Sequence, residues 1–157
     1  MNPNDLFVPL SFIGGPAILM NACAVMQNGA SVRYSLAINL WREMRAEASG
    51  GTGTLLRSYS DPALAMTLAS RRIRLLLVSL NLLYVTVAMF GIATVCGLAG
   101  SYVYIDAETG IATWAVRLVV GAATLATTGL LAAMCVFVVE SRTTQRLIHL
   151  QAHVADR

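Results

Sequence analysis

Three long stretches without a charged side chain, Leu6 to Val32, Leu75 to Ile105 and Leu118 to Val139, constrain this chain more than any other feature. A helix needs about 20 apolar residues, each rising about 1.5 Å, to cross the hydrocarbon core of a bilayer. Each stretch meets that length. The whole chain agrees with them: 57% of its 157 residues are hydrophobic and only 12% are charged. Its mean hydropathy of +0.67 lies in the membrane class, outside the balance of a soluble domain.

The expectation is one all-α integral membrane domain over residues 1–157, with transmembrane helices at about 9–32, 75–100 and 114–139. Only the acidic turn Asp106 to Gly110 separates the second and third stretches, so those two spans form an antiparallel hairpin. Arg117 lies close to the start of the third span, where its side chain snorkels to the headgroups beside a Trp114 anchor. Ala22-Cys23-Ala24 imitates a small-residue cleavage site. A secretory signal starts with bases, whereas Met1 to Asp5 carries an acid and none, so the first stretch is read as a retained span.

Orientation follows from the basic residues, all eleven of which are arginine. Arg33, Arg42, Arg45, Arg57, Arg71, Arg72 and Arg74 fall between the first and second spans, and Arg142, Arg146 and Arg157 follow the third. Cytoplasmic loops collect positive charge, which places the long loop and the C-terminus inside and the N-terminus and the Asp106/Glu108 turn outside.

Ser70-Arg71-Arg72-Ile73-Arg74 imitates a twin-arginine export signal, but such signals are N-terminal. Nucleic-acid binding wants a wider basic surface with aromatic stacking partners. The footing of a membrane helix explains the same arginines without a ligand, and no nucleic-acid partner is expected.

The helices are expected to continue past the membrane. Leu36, Leu40, Trp41, Met44 and Ala48 recur at helical spacing, giving an amphipathic extension over 33–48. Ser49 to Thr54, "SGGTGT", lacks the Lys-Ser/Thr of a phosphate loop and reads as a linker over 49–61. Asp61-Pro62 supplies an N-cap and a helix-starting proline, so a second extension covers 62–74 and forms a helical hairpin with the first. Pro16 either kinks the first helix or begins its regular part. An amphipathic tail over 140–155 carries Arg142, Arg146, His149 and His153, a basic stripe that runs on to Arg157, beside an apolar stripe of Leu147, Leu150 and Val154. Glu43 and Glu47 are the expected salt partners of that basic stripe.

Chemistry is sparse. The spans contain no Asp, Glu, Lys or His, and their only Arg is the marginal Arg117, which argues against a carboxylate relay or histidine-ligated haem. His149 and His153 have zinc-compatible spacing without the glutamate of a His-Glu-x-x-His motif, and the three cysteines fall at different depths. No catalytic, cofactor or metal residue is expected. Asn21 and Asn81 are expected to bond across helices, and Ala93, Gly97, Gly121 and Gly129 to allow close helix approach.

"Gly15-Pro16-Ala17-Ile18-Leu19-Met20-Asn21-Ala22" leading to Arg33, Arg42 and Arg45, followed by "Leu68-Ala69-Ser70-Arg71-Arg72-Ile73-Arg74" entering a second span, resembles the bacterial membrane-protein family catalogued as domain of unknown function 2721. The resemblance covers roughly Phe12 to His149. It implies a three-span protein of the bacterial inner membrane with helices extended into the cytoplasm, and carries over no catalytic residues.

These readings converge on a non-enzymatic membrane protein that works by helix-helix association, as an accessory subunit of a larger complex or as a homo-oligomer. Arg33, Arg42, Arg45, Arg71, Arg72, Arg74, Arg142 and Arg146 form its expected docking ring for anionic headgroups or an acidic partner. The alternatives are a small oligomeric channel with Asn21, Ser79 and Asn81 lining a polar path, and an interfacial enzyme acting on lipid or quinone through Arg71, Arg72, His149 and His153.

Overall fold

A computed structural model describes residues 7–51, 53–106 and 110–155, the side chains of 7–13, 101–106, 110–112, 115 and 152–155 excepted. Three helices make up the fold: α1 (Phe7–Ala48), α2 (Pro62–Asp106) and α3 (Gly110–Ala155), with a short 3-10 turn at Leu56–Ser58. No strand occurs among the described residues. Pro16 is internal to α1, which begins well before it, so the helix does not start at the proline.

Local signals place the helix ends. Asp61 Oδ1 accepts the backbone N–H groups of Ala63 and Leu64, each at 3.1 Å, and Pro62 opens α2 where its missing N–H costs nothing. At the end of α1, Gly51 N–H donates to the Ala46 carbonyl at 3.2 Å and Gly50 N–H to that of Glu47 at 3.1 Å, which is a Schellman closure. Gly50 takes the positive φ of 105° that this closure needs and that a side chain would resist. A Cβ on Gly53 would meet the Glu47 carboxylate, whose two oxygens accept the N–H groups of Leu55 (2.8 Å) and Leu56 (2.6 Å). The glycines of "SGGTGT" thus turn the chain and let it close on Glu47.

The chain divides into two compact units, each built from all three helices. In the unit of residues 1–27 and 81–132, Cys23, Phe90 and Ala126 form the core, flanked by Met20, Val87, Met89 and Leu130. Its buried positions on α2 are Leu83, Thr86, Phe90 and Ala93, and on α3 Val119, Ala122 and Ala126. These steps of three and four alternate, the seven-residue interval of helices coiling left-handedly about one another. Thr86 is buried with its hydroxyl unpartnered and faces Gly129, where an added Cβ would come within 2.6 Å of it.

In the unit of residues 28–80 and 133–157, the core is Met44, Tyr59, Ala65, Ala69 and Leu147. Leu40, Trp41, Leu55, Leu56, Met66, Leu68 and Leu150 pack against it. Ala30, Ala37 and Met44 repeat every seventh residue on α1, as do Ala133, Glu140 and Leu147 on α3. Alanine at so many of these positions lets the helix backbones approach closely.

Two helical stretches among the described residues, Pro62–Gly100 and Val116–Gln151, are long and apolar enough to cross a membrane. The former contains the second expected span, and the latter covers the third from Val116 onward. The first, about 9–32, begins on side chains outside the described residues and is not one of the two. The acidic turn at 107–109 and the side chain of His153 also lie outside them.

Candidate functional site

One carboxylate organises the unit of residues 28–80 and 133–157. Glu140 follows the charge-free stretch of α3 and holds a core position one heptad before Leu147, its side chain only 2% exposed. A bare carboxylate there would be costly, so its partners are close. Arg72 Nε donates to Glu140 Oε1 at 2.7 Å, and Arg72 is itself half-buried with an 18% exposed side chain. The Thr144 hydroxyl donates to the same oxygen at 3.0 Å. Arg33 brings Nη1 within 3.8 Å of Oε2 from α1 while keeping its side chain 58% exposed. All three helices meet at this carboxylate.

The clamp alters the expected docking ring. Arg72 and Arg33 turn to Glu140, while Arg42, Arg45, Arg71, Arg74, Arg142 and Arg146 are exposed. Met44 of α1, Ala69 of α2 and Leu147 of α3 share one core layer. Arg42 and Arg45, Arg71, and Arg146 each lie within two residues of it along their helices, roughly 3 Å of axial rise. Arg74 and Arg142 are five residues away from the layer, about 7.5 Å toward the apolar stretches. Six exposed arginines therefore attach within a short belt along the three helices. Of the two acids expected to pair with the basic stripe, Glu47 is engaged instead with the backbone N–H groups of Leu55 and Leu56, and Glu43 is exposed. The reason is reach, since Glu47 lies at the close of α1 where the linker's free N–H groups are nearest.

A groove of about 310 Å³ between α1 and α2 opens on this belt, lined by Ile38, Trp41, Arg42, Ser70 and Ile73. The Arg45 guanidinium lies over the Trp41 ring, 5.0 Å from its centroid, held by the ring's negative face. A second groove of about 360 Å³ is bounded by Ser60, Leu64, Leu68, Arg146, His149 and Leu150. Leu150 and the buried Leu147 turn to the core while Arg146 and His149 stay exposed.

Tyr59 is the linker residue that enters the core, and burial raises its phenol above the usual value of 10.0. The Arg117 guanidinium lies over the Trp114 ring, 5.6 Å from its centroid.

The residues expected to pack helices divide. Ala93 is buried, Gly97 half-buried, and Gly129 half-buried against Thr86; Asn21, Asn81 and Gly121 are exposed. The buried Ser79 donates its hydroxyl to the Leu76 carbonyl of its own helix at 2.9 Å. Cys23 is buried, Cys96 half-buried and Cys135 exposed, all as free thiols. Among the described residues no three His, Cys, Asp or Glu side chains gather as a metal site would require.

Glu140 is the residue that sequence reasoning missed. Counting sevens back from it reaches Ala133 and Ala126, both buried, and counting sevens from Ala65 reaches Arg72, Ser79 and Thr86. That spacing, extended past the end of the apolar stretch, was the available signal.

The search for similar proteins finds no match to any family model, curated protein or solved structure.

Proposed function

We propose that the chain is a three-span protein of the bacterial inner membrane, N-terminus outside and C-terminus in the cytoplasm, that works without catalysis through helix-helix association. It serves as an assembly subunit of a larger membrane complex or pairs with copies of itself. The observation that carries this reading is an amide within an apolar shell. Ile18 and Val25 on α1 are far more than half exposed, and Asn21 is exposed between them.

Such a shell is stable against lipid, where exposed valine and isoleucine side chains cost nothing. An amide there is best satisfied by a neighbouring helix, at about 0.6 to 2 kcal/mol. Asn81, exposed on α2 beside the half-exposed Leu77 and Val78, has the same need. The exposed arginine belt supports the inward orientation by the positive-inside rule. The resemblance to domain of unknown function 2721 is consistent with all of these features.

The test is extraction of the untagged protein in mild detergent, followed by native mass spectrometry of the particle and its co-migrating chains. A particle with a second copy or a stoichiometric partner, weakened in Asn21→Leu, is the expected result. A strictly monomeric particle overturns it.

A further inference from the structure

We propose that the groove between α1 and α2 is a headgroup site for an anionic phospholipid of the inner leaflet, its phosphate held by Arg42, Arg45 and Arg74. The proposal rests on the membrane reading above and names the ligand of its arginine belt.

Four observations converge on a lipid. The groove lining is mainly apolar, Ile38, Trp41 and Ile73, with Arg42 its one cationic residue. Arg42 lines it, and Arg45 is steadied on the Trp41 ring that lines it. Arg74 is exposed one helical turn beyond Ser70 on the opposite wall, where i and i+4 side chains share a face. Finally, no acid lines the groove: Ser70 is its sole uncharged polar lining residue, Glu47 and Glu140 are engaged elsewhere, and the exposed Glu43 lies outside the lining.

The level is also right. Trp41 and Arg42 lie within three residues of Met44, roughly 5 Å along the axis, at the belt where the apolar shell gives way to charge. A tryptophan at that depth belongs to the aromatic layer of the interface. Arginine suits the ligand because its planar fork binds phosphate oxygens in pairs. An acidic protein segment would use the arginines but has no need of the apolar lining of Ile38, Trp41 and Ile73, so the lipid is favoured.

The experiment uses the full chain with Trp114→Phe, leaving Trp41 as the sole tryptophan, in phosphatidylcholine nanodiscs. The discs are doped with either phosphatidylglycerol or phosphatidylcholine bearing a nitroxide near the glycerol end of an acyl chain. Trp41 fluorescence is expected to be quenched at lower doping by the phosphatidylglycerol probe. Arg42→Gln and Arg74→Gln should each lower that preference, by about fivefold per arginine, while Arg57→Gln on the linker leaves it unchanged.

Equal quenching by both probes overturns the site and leaves the arginines to an acidic protein partner. A preference that survives both substitutions removes it from this groove. A companion protein with Trp41→Phe reports Trp114 separately. If Trp114 is quenched and Trp41 is not, the lipid site fails and the membrane reading stands; if neither is quenched, the membrane reading fails and the site with it.

Discussion

Removing the Glu140 carboxylate should be among the most destabilising single changes in the protein. Glu140→Ala deletes the acceptor of a 2.7 Å bond from Arg72 Nε and a 3.0 Å bond from the Thr144 hydroxyl. It also leaves the Arg72 charge, 18% exposed, without its counter-ion inside a packed helix layer. Breaking one side of a buried pair costs about 3 to 5 kcal/mol, and the partial exposure of Arg72 argues for the lower end, about 3. Arg33, at 3.8 Å and 58% exposed, adds at most the 0 to 1 kcal/mol of a solvent-screened pair.

Glu140→Leu combined with Arg72→Leu should be close to neutral, because both the attraction and the desolvation cost disappear together. The assay is a double-mutant cycle in mixed micelles, with helix content followed by circular dichroism as denaturing detergent is added. A coupling energy of about 2 kcal/mol or more is expected. A Glu140→Ala loss below about 1 kcal/mol, or single losses that add in the double variant, would refute the clamp.

Three further outcomes follow from particular contacts. Tyr59 is buried, and its raised phenol pKa means the native state holds the proton more tightly than the unfolded state. That stability is whole below about 10 and is lost as pH rises through the native value. Base titration of unfolding should therefore show a fall there that Tyr59→Phe removes. Gly53→Ala should displace the Glu47 carboxylate from Leu55 and Leu56 N–H, at about 1 to 3 kcal/mol. Combined with Glu47→Ala it should cost little more than either change alone in the same unfolding assay. Gly129→Ala drives a methyl group against the Thr86 hydroxyl and should cost about 1 to 3 kcal/mol. Thr86→Ala, which removes an unpartnered hydroxyl, should be tolerated alone and should rescue Gly129→Ala; absence of rescue would dismiss that contact.

The amino-acid sequence by itself determined the helices and where they stop. Asp61-Pro62 and Ser49-Gly50-Gly51 act within a turn of their own position, through a capping oxygen, a missing N–H and a positive φ, so no distant residue is needed to read them. Long charge-free stretches likewise declare their helices, because backbone groups in an apolar setting must be satisfied within the segment. Only the tertiary structure decided which charges are spent inside and which remain for partners. Arg71, Arg72 and Arg74 look alike in the chain, yet Arg72 alone falls on the seven-residue core phase of α2 and meets Glu140, 68 residues away. The phase of a helix is fixed by what packs against it, and a pattern whose apolar residues face outward gives few hints of which stripe turns in. Alanine, serine and glutamate hold many of the buried positions beside Leu76, Leu83 and Phe90, while many valines and leucines lie outside, which blurs the usual cue. That blurring hid Glu140 and made the half-buried Arg72 look as exposed as Arg71 and Arg74.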